Sequence, residues 1–254
     1  MAAENNSKEY GTLYGVGIGP GDPELVTIKA VKVILGSDVL VFPAKDKESC
    51  RAYRIVIEAL RCLREDLGTD MEDIESKDLI FEQFPMSMNK AELISFHEET
   101  ANKTASLLRE GRSVAFVTLG DPSIYSTFGY IAALVGNMGY KVEQISGITS
   151  FCASANRLGI SLVEGDEPLH IIPGSFDIRT ALAMDGTKVF MKLGKNQLAD
   201  LKELLVSDDI ADVSVSGVSA CGMSGESVAR SAADISEDWG YLSTVIVKNT
   251  AKER

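Results

Sequence analysis

Four glycines, Gly15, Gly17, Gly19 and Gly21, punctuate the run LYGVGIGPGDPELVTIKA between Leu13 and Ala30, where a short apolar strand gives way to helical spacing. A turn of this kind lets a ligand approach main-chain N–H groups that any Cβ would obstruct, and the first chemistry it suggests is a phosphate or dinucleotide cradle. The spacing opposes that reading. Counting G-x-G-x-x-G from Gly15 puts Pro20 in the sixth place, and counting from Gly17 puts Asp22 there. Pro20 lacks an N–H, Asp22 would repel a pyrophosphate, and no Walker lysine follows. A neutral or cationic ligand suits the turn better, with close strand–helix packing as the alternative use of the same glycines. A second turn lies in SVAFVTLGDPSIYSTF, Ser113 to Phe128, where a buried-type strand stops at Gly120-Asp121-Pro122 and a helix is predicted from near Ser123. Asp121 reads either as an acceptor for ligand hydroxyls or an ammonium, or as the cap of that helix.

The elements that must position these turns alternate. Strand-like runs recur at Leu13 to Ile18, Asp38 to Phe42, Leu79 to Phe84, Ser113 to Thr118 and Lys141 to Ile145. Between them, helical spacing covers Leu25 to Leu35, Ala52 to Leu63 and Lys90 to Glu110, the last with Asn89 as N-cap and Gly111 as its stop. This rhythm predicts an α/β fold on a mostly parallel sheet, with ligands gathering beyond the carboxyl ends of the strands, where both glycine turns fall. After Gly147 the rhythm changes to a helix over Thr149 to Leu158, then short strands at Leu169 to Ile172, Lys188 to Lys192, Ala211 to Val218 and Ser243 to Lys248. The second half should therefore hold a sheet of mixed direction. A boundary near Ser146 divides an N-terminal α/β domain over 11–146 from a C-terminal α/β domain over 147–254, with 1–10 as a polar tail. The acidic stretch from Arg64 to Asp78 reads as a solvated excursion.

Composition narrows the function. A net charge of −12 opposes binding to nucleic acid or an anionic membrane through a general field. No apolar run approaches the length of a membrane span, and MAAENNSKEY lacks the apolar core of a signal peptide, so the chain reads as cytoplasmic. Cys50, Cys62, Cys152 and Cys221 form no CxxC pair, and only His97 and His170 could join them, so no metal site is expected. Cys152 and Cys221 read as packed thiols. His97 lies within a long predicted helix and reads as a face residue rather than a base.

Four later runs, ISGITSFCASANRLG (Ile145 to Gly159), KVFMKLGK (Lys188 to Lys195), VSGVSACGM (Val215 to Met223) and YLSTVIVKN (Tyr241 to Asn249), join the two turns in order and spacing that resemble the tetrapyrrole methyltransferase family. The resemblance runs from about Gly11 to Lys248. Within the family, GPGDPELVTIKA, TLGDPSIYSTF, SGITSFCASANRLGI and LVEGDEPLHIIP are most similar to the enzymes that methylate C-20 of precorrin-2 or of cobalt-factor II in corrin biosynthesis. It implies two α/β domains, each on a roughly five-stranded sheet, a homodimer, and S-adenosyl-L-methionine held in a cleft between the domains and released as S-adenosyl-L-homocysteine. Carried over by position, Ile18 and Pro20 would line the cleft floor. Gly120, Asp121 and Ile124 would meet the amino-acid or ribose part of the cofactor, followed by Thr149 and Ser150. Met191 and Lys192 would contribute from the second domain, and Ala220 and Thr244 would enclose the adenine. The acidic residue that holds the ribose in Rossmann-like methyltransferases has no equivalent here, since Asp38 opens its strand rather than closing it.

The implied chemistry needs no protein nucleophile, because the sulfonium already activates the methyl and the enamine-like meso carbon of the substrate attacks it. Catalysis is then mostly positioning. The acceptor of the meso proton stays open among a ring nitrogen, water, Asp121 and Tyr125, and Tyr125 reads equally as a residue on the core face of its helix. An anionic tetrapyrrole needs local cations on a −12 chain, and Lys45, Lys47, Arg51 and Arg54, following Phe42-Pro43, are the candidates, with a solvated basic loop as the alternative. Pro85-Met86 could edge the substrate trough or simply pack. Three competing functions remain at this stage: a diphthine synthase-like methyltransferase, which shares the architecture, an NAD-dependent oxidoreductase, whose fingerprint fails at the sixth position, and a non-catalytic binding module.

Overall fold

The computed structural model describes residues 9–67, 74–84, 89–207 and 212–250, and its contacts divide the chain into two compact units, Met1–Ile148 and Thr149–Arg254. The first runs through β1 (Thr12–Gly17), α1 (Ile28–Gly36), β2 (Val39–Phe42), α2 (Arg51–Leu67), β3 (Asp78–Phe81), α3 (Lys90–Arg109), β4 (Val114–Thr118), α4 (Phe128–Asn137) and β5 (Lys141–Ile145). Its five strands lie in the order β3-β2-β4-β1-β5, and every pairing is parallel. β2 (VLVF) and β4 (VAFVT) are buried at every position, as apolar runs without polar alternation must be when both faces of a parallel sheet are covered. Val39, Val41 and Phe116 from these strands pack with Leu108 of α3 and with Phe128, Ile131 and Val135 of α4.

Local chemistry explains where the helices begin. Asn89 accepts hydrogen bonds from the Ala91 and Glu92 N–H groups and so caps α3, while Gly111, at φ 88°, turns the chain away after it. The helix predicted from Leu25 starts later. Asp22 caps a short 3₁₀ turn at Pro23–Leu25, Val26 is extended, and Thr27 then caps α1 through the Ala30 N–H. The helix predicted from Ser123 does not form there. Asp121 closes a turn onto Ser123, Tyr125 takes a left-handed backbone at φ 46°, and α4 starts at Phe128.

The second unit holds α5 (Ser150–Leu158), β6 (Leu169–Pro173), α6 (Ile178–Leu182), β7 (Thr187–Met191), α7 (Lys195–Val206), β8 (Val213–Ser219), β9 (Ser227–Ala229) and β10 (Ser243–Asn249). Its sheet runs β6-β7-β10-β8-β9, with β6 and β7 parallel and the other pairs antiparallel. Phe190, Leu198, Leu201, Ile235, Trp239, Val245 and Val247 form its core. The mixed direction follows the sequence reading. β9 does not, because its three residues, Ser-Val-Ala, are too few to show a period.

One expectation about side chains changes: Cys221 is buried, whereas Cys152 is exposed on α5. The acidic stretch keeps its solvated character where it is described: Glu75 and Asp78 are exposed, and they pair with Lys47 and Arg112. Asp70, Glu72 and Asp73 lie outside the described residues, as do Pro85 and Met86.

Candidate functional site

In the first unit, the parallel register brings the carboxyl ends of β4, β1 and β5 side by side, so the turns at 18–21, 119–127 and 146–148 leave from one edge of the sheet. The turns are pinned to each other through main chain. Gly19 N–H donates to the Gly120 carbonyl at 3.3 Å, Gly120 N–H returns the bond to the Gly19 carbonyl at 2.7 Å, and Ile18 N–H donates to the Thr118 carbonyl at 3.1 Å. A Cβ on Gly147 would lie 2.1 Å from the Gly120 carbonyl oxygen, and one on Gly17 would lie 2.6 Å from the same atom. Close backbone approach, rather than a phosphate fingerprint, is thus what these two glycines provide.

Asp121 ties its own turn to the turn at 146–148. Its Oδ1 accepts from the Ser123 N–H at 2.8 Å and from the Ser123 hydroxyl, and its Oδ2 accepts from the Gly147 N–H at 3.0 Å. Partial burial raises the cost of its charge, but these donors together outweigh that and hold the carboxyl below the usual carboxylate range. It is not the cap of a helix at Ser123. A carboxylate accepts up to about four hydrogen bonds, so Asp121 keeps capacity for a further donor. Next to it, the Ile124 N–H donates to the Asp121 carbonyl at 3.2 Å. Tyr125 is 44% exposed and lies in no helix, which overturns its reading as a core-face residue, and partial burial raises the pKa of its phenol. Ile18 is fully buried and Pro20 is buried too.

In the second unit, β10 sets Thr244 directly opposite Met191 on one side and Val218 on the other. The carboxyl ends of β7 and β8 therefore flank the amino end of β10. The two residues that follow those strand ends have left-handed backbones, Lys192 at φ 56° and Ala220 at φ 51°. Lys192 Nζ sits 5.5 Å from the centre of the Tyr241 ring, a contact nothing in the sequence signalled. Ala220 is held by its N–H on the Leu242 carbonyl at 3.2 Å. Ser150, the first residue of α5, accepts from the Thr244 hydroxyl at 3.4 Å. Thr149 takes the N-cap position but makes no side-chain cap bond, and its Oγ1 is buried with no hydrogen-bond partner. Thr100, Ser154 and Trp239 also carry buried polar atoms without a partner among the described residues, and each such group costs about 1–3 kcal/mol.

Four non-glycine residues have positive φ among the described residues: Tyr125, Lys192, Asp212 and Ala220. Three of the four belong to the set singled out from sequence. Such conformations cost about 1–3 kcal/mol each and gather where function demands them.

The basic loop divides. Lys47 is committed to Glu75 at 2.6 Å, an acceptor it shares with the Tyr53 hydroxyl, and this pairing raises its pKa. Lys45, Arg51 and Arg54 are exposed, and their side chains make no hydrogen bond or ion pair among the described residues. His97 stacks on Tyr130 with ring centres 4.8 Å apart, which accounts for it as a face residue, and partial burial lowers its pKa.

The Tetrapyrrole (Corrin/Porphyrin) Methylases sequence profile matches residues 12–235, and the chain belongs to that family. It is 35% identical over 198 residues, 78% of each chain, to a protein of Methanocaldococcus jannaschii named probable cobalt-precorrin-2 C(20)-methyltransferase. It is 33% identical over 214 residues to the precorrin-2 C(20)-methyltransferase of a Sinorhizobium species, covering 81% of this chain and 82% of the other. Among solved structures, the uroporphyrin-III C-methyltransferase from Thermus thermophilus, complexed with S-adenyl homocysteine, superposes with a TM-score of 0.64 over 94% of this chain and 97% of that one. At 19% identity that likeness is one of fold.

Proposed function

We propose that this chain transfers a methyl group from S-adenosylmethionine to the C-20 meso carbon of a reduced tetrapyrrole, metal-free precorrin-2 or cobalt-factor II. The observation that carries the reading is the strained main chain at Lys192 and Ala220, which follow the ends of β7 and β8, where the family resemblance expects cofactor contacts. Names of the relatives support the choice of acceptor carbon.

The residues present suit the donor. Asp121 has acceptor capacity to spare in the first unit, and the Thr149 hydroxyl in the second is buried without a partner among the described residues. Ile18 and Pro20 would hold the cofactor through main chain, and Gly120, Asp121 and Ile124 would receive its amino-acid or ribose part. In the second unit, Thr149, Ser150, Met191, Lys192, Ala220 and Thr244 are the residues that the family resemblance assigns to the cofactor. S-adenosylmethionine brings an activated methyl on a sulfonium, so the chain need supply no nucleophile. The ionised Asp121 carboxylate favours a cationic ligand nearby, and its three protein donors keep it fixed before any ligand arrives. Tyr125, exposed beside it in the chain, is the candidate to relay the meso proton, its phenol passing its own proton to water as it receives one.

The deciding experiment is turnover with S-adenosylmethionine against metal-free and cobalt-bearing substrate separately, with the product followed by mass and the methyl position by NMR. A methyl at C-20 is the expected result. Tight S-adenosylhomocysteine binding without methylation of either substrate would retain the donor and overturn the acceptor.

Lys45, Arg51 and Arg54 would pair with the peripheral carboxylates of the tetrapyrrole. Arg51→Ala and Arg54→Ala are each expected to raise the tetrapyrrole KM by about tenfold, the worth of one charge-assisted hydrogen bond, and to leave the calorimetric Kd for S-adenosylhomocysteine unchanged. An unchanged KM in both variants removes the loop from the substrate site.

A further inference from the structure

The turn that carries Ala220 is long and glycine-rich. CGMSGE, 221–226, links β8 to β9, and Gly222 and Gly225 both have positive φ, at 72° and 87°. Buried Cys221 docks the start of the turn, while Gly222, Ser224 and Gly225 beyond it are exposed, and hydrogen bonds fix their shape. Within the turn, the Met223 N–H donates to the Ala220 carbonyl at 2.9 Å and the Glu226 N–H to the Met223 carbonyl at 3.1 Å. Glu226 then closes it from outside: its Oε2 accepts from the Gly222 N–H at 2.8 Å, and its Oε1 accepts from Arg157 Nε. Arg157 lies in the last turn of α5, whose first residue is Ser150. On the far side of β9, Arg230 reaches the same helix end, with Nη1 on the Leu158 carbonyl at 3.2 Å. The β8–β9 hairpin is therefore tied to α5 at both flanks of β9.

We propose that Glu226, held by Arg157, is a positioning residue for the methyl donor: it sets the strained Ala220 turn against α5, so that Ala220 keeps its place relative to Ser150 and Thr244. This rests on the assignment of those three residues to the cofactor site. The two partners are unequal. Glu226 is 17% exposed and serves two donors, whereas Arg157 is 58% exposed, and an exposed ion pair contributes little by itself. The carboxylate is the keystone and the guanidinium its brace.

The test is the Kd for S-adenosylhomocysteine by calorimetry, with KM and kcat for S-adenosylmethionine, in the wild type, Glu226→Ala, Glu226→Gln, Arg157→Ala and the double variant Arg157→Ala/Glu226→Ala. Glu226→Ala should weaken binding by about tenfold and Arg157→Ala by about threefold, in KM rather than in kcat at saturating donor. Because Arg157 acts only through Glu226, the double variant should bind no worse than Glu226→Ala. Glu226→Gln, which keeps an acceptor for the Gly222 N–H, should recover most of the loss and serves as the decisive variant if Glu226→Ala does not fold. Wild-type affinity in the folded variants, fully additive losses in the double variant, or a loss in kcat alone would overturn the positioning role while leaving the function standing. A wild-type chain that binds no S-adenosylhomocysteine would overturn both.

Discussion

Gly147→Ala should destabilise the first unit by about 3–5 kcal/mol and abolish S-adenosylhomocysteine binding. The new methyl would lie 2.1 Å from the Gly120 carbonyl oxygen and 2.7 Å from the Gly17 carbonyl carbon. Both are main-chain atoms at the ends of buried strands and cannot rotate aside as a side chain could. The turns must separate, which breaks the paired Gly19–Gly120 hydrogen bonds and the bond from Gly147 N–H to Asp121. Gly136→Ala provides the contrast. It lies inside α4 with nothing within 4 Å of the new methyl, and should stabilise the protein by about 0.5–1 kcal/mol through helix propensity. Urea unfolding of both variants checks the pair: a shift to lower midpoint for Gly147→Ala and to higher for Gly136→Ala. A wild-type midpoint in Gly147→Ala would mean that the three turns are not interlocked.

Asp121→Ala should lower kcat/KM for S-adenosylmethionine by about 100-fold, the scale of one or two lost hydrogen bonds to a charged group. The variant removes the acceptor for the Gly147 N–H and for both Ser123 donors, and with it the negative charge beside the glycine turns. Asp121→Asn keeps a carbonyl for part of this set and should retain more activity than alanine. A folded Asp121→Ala with wild-type S-adenosylhomocysteine affinity would remove the residue from the site. The same carboxylate links stability to pH. Its folded-state pKa lies below the ordinary 3.8, so folding favours its ionised form. Its contribution is fully present above the unfolded value and is lost as the pH falls through the lower folded value. In acid titrations followed by circular dichroism, Asp121→Asn should therefore narrow the gap to the wild type below about pH 4 and widen it above.

Much of the architecture was legible in residue patterns. Parallel strands covered on both faces announce themselves as VLVF and VAFVT, and Asn89 and Gly111 bracket α3 by side-chain capping and backbone handedness, both of which are local effects. Helix starts were read less well after Asp22 and Asp121. There the acidic side chain bonds its own turn two residues on and delays the helix, an option the apolar period does not reveal. β9 left no signal in three residues, and its existence depends on β8 beside it.

The candidate site divides along the same line. Residue type and spacing along the chain determined the α/β alternation, the two glycine turns and the family to which the chain belongs, because each is carried by near neighbours in sequence. Only the tertiary structure decided that Gly17, Gly120 and Gly147 press main chain against main chain, that Asp121 binds the Gly147 N–H twenty-six positions away, and that Lys47 pairs with Glu75 while the Arg51 and Arg54 side chains have no partner among the described residues. The left-handed backbones of Tyr125, Lys192 and Ala220 belong to the same class. Nothing in the identity of tyrosine, lysine or alanine favours that conformation; it is imposed by strand register and by hydrogen bonds from distant segments, which a linear sequence does not display.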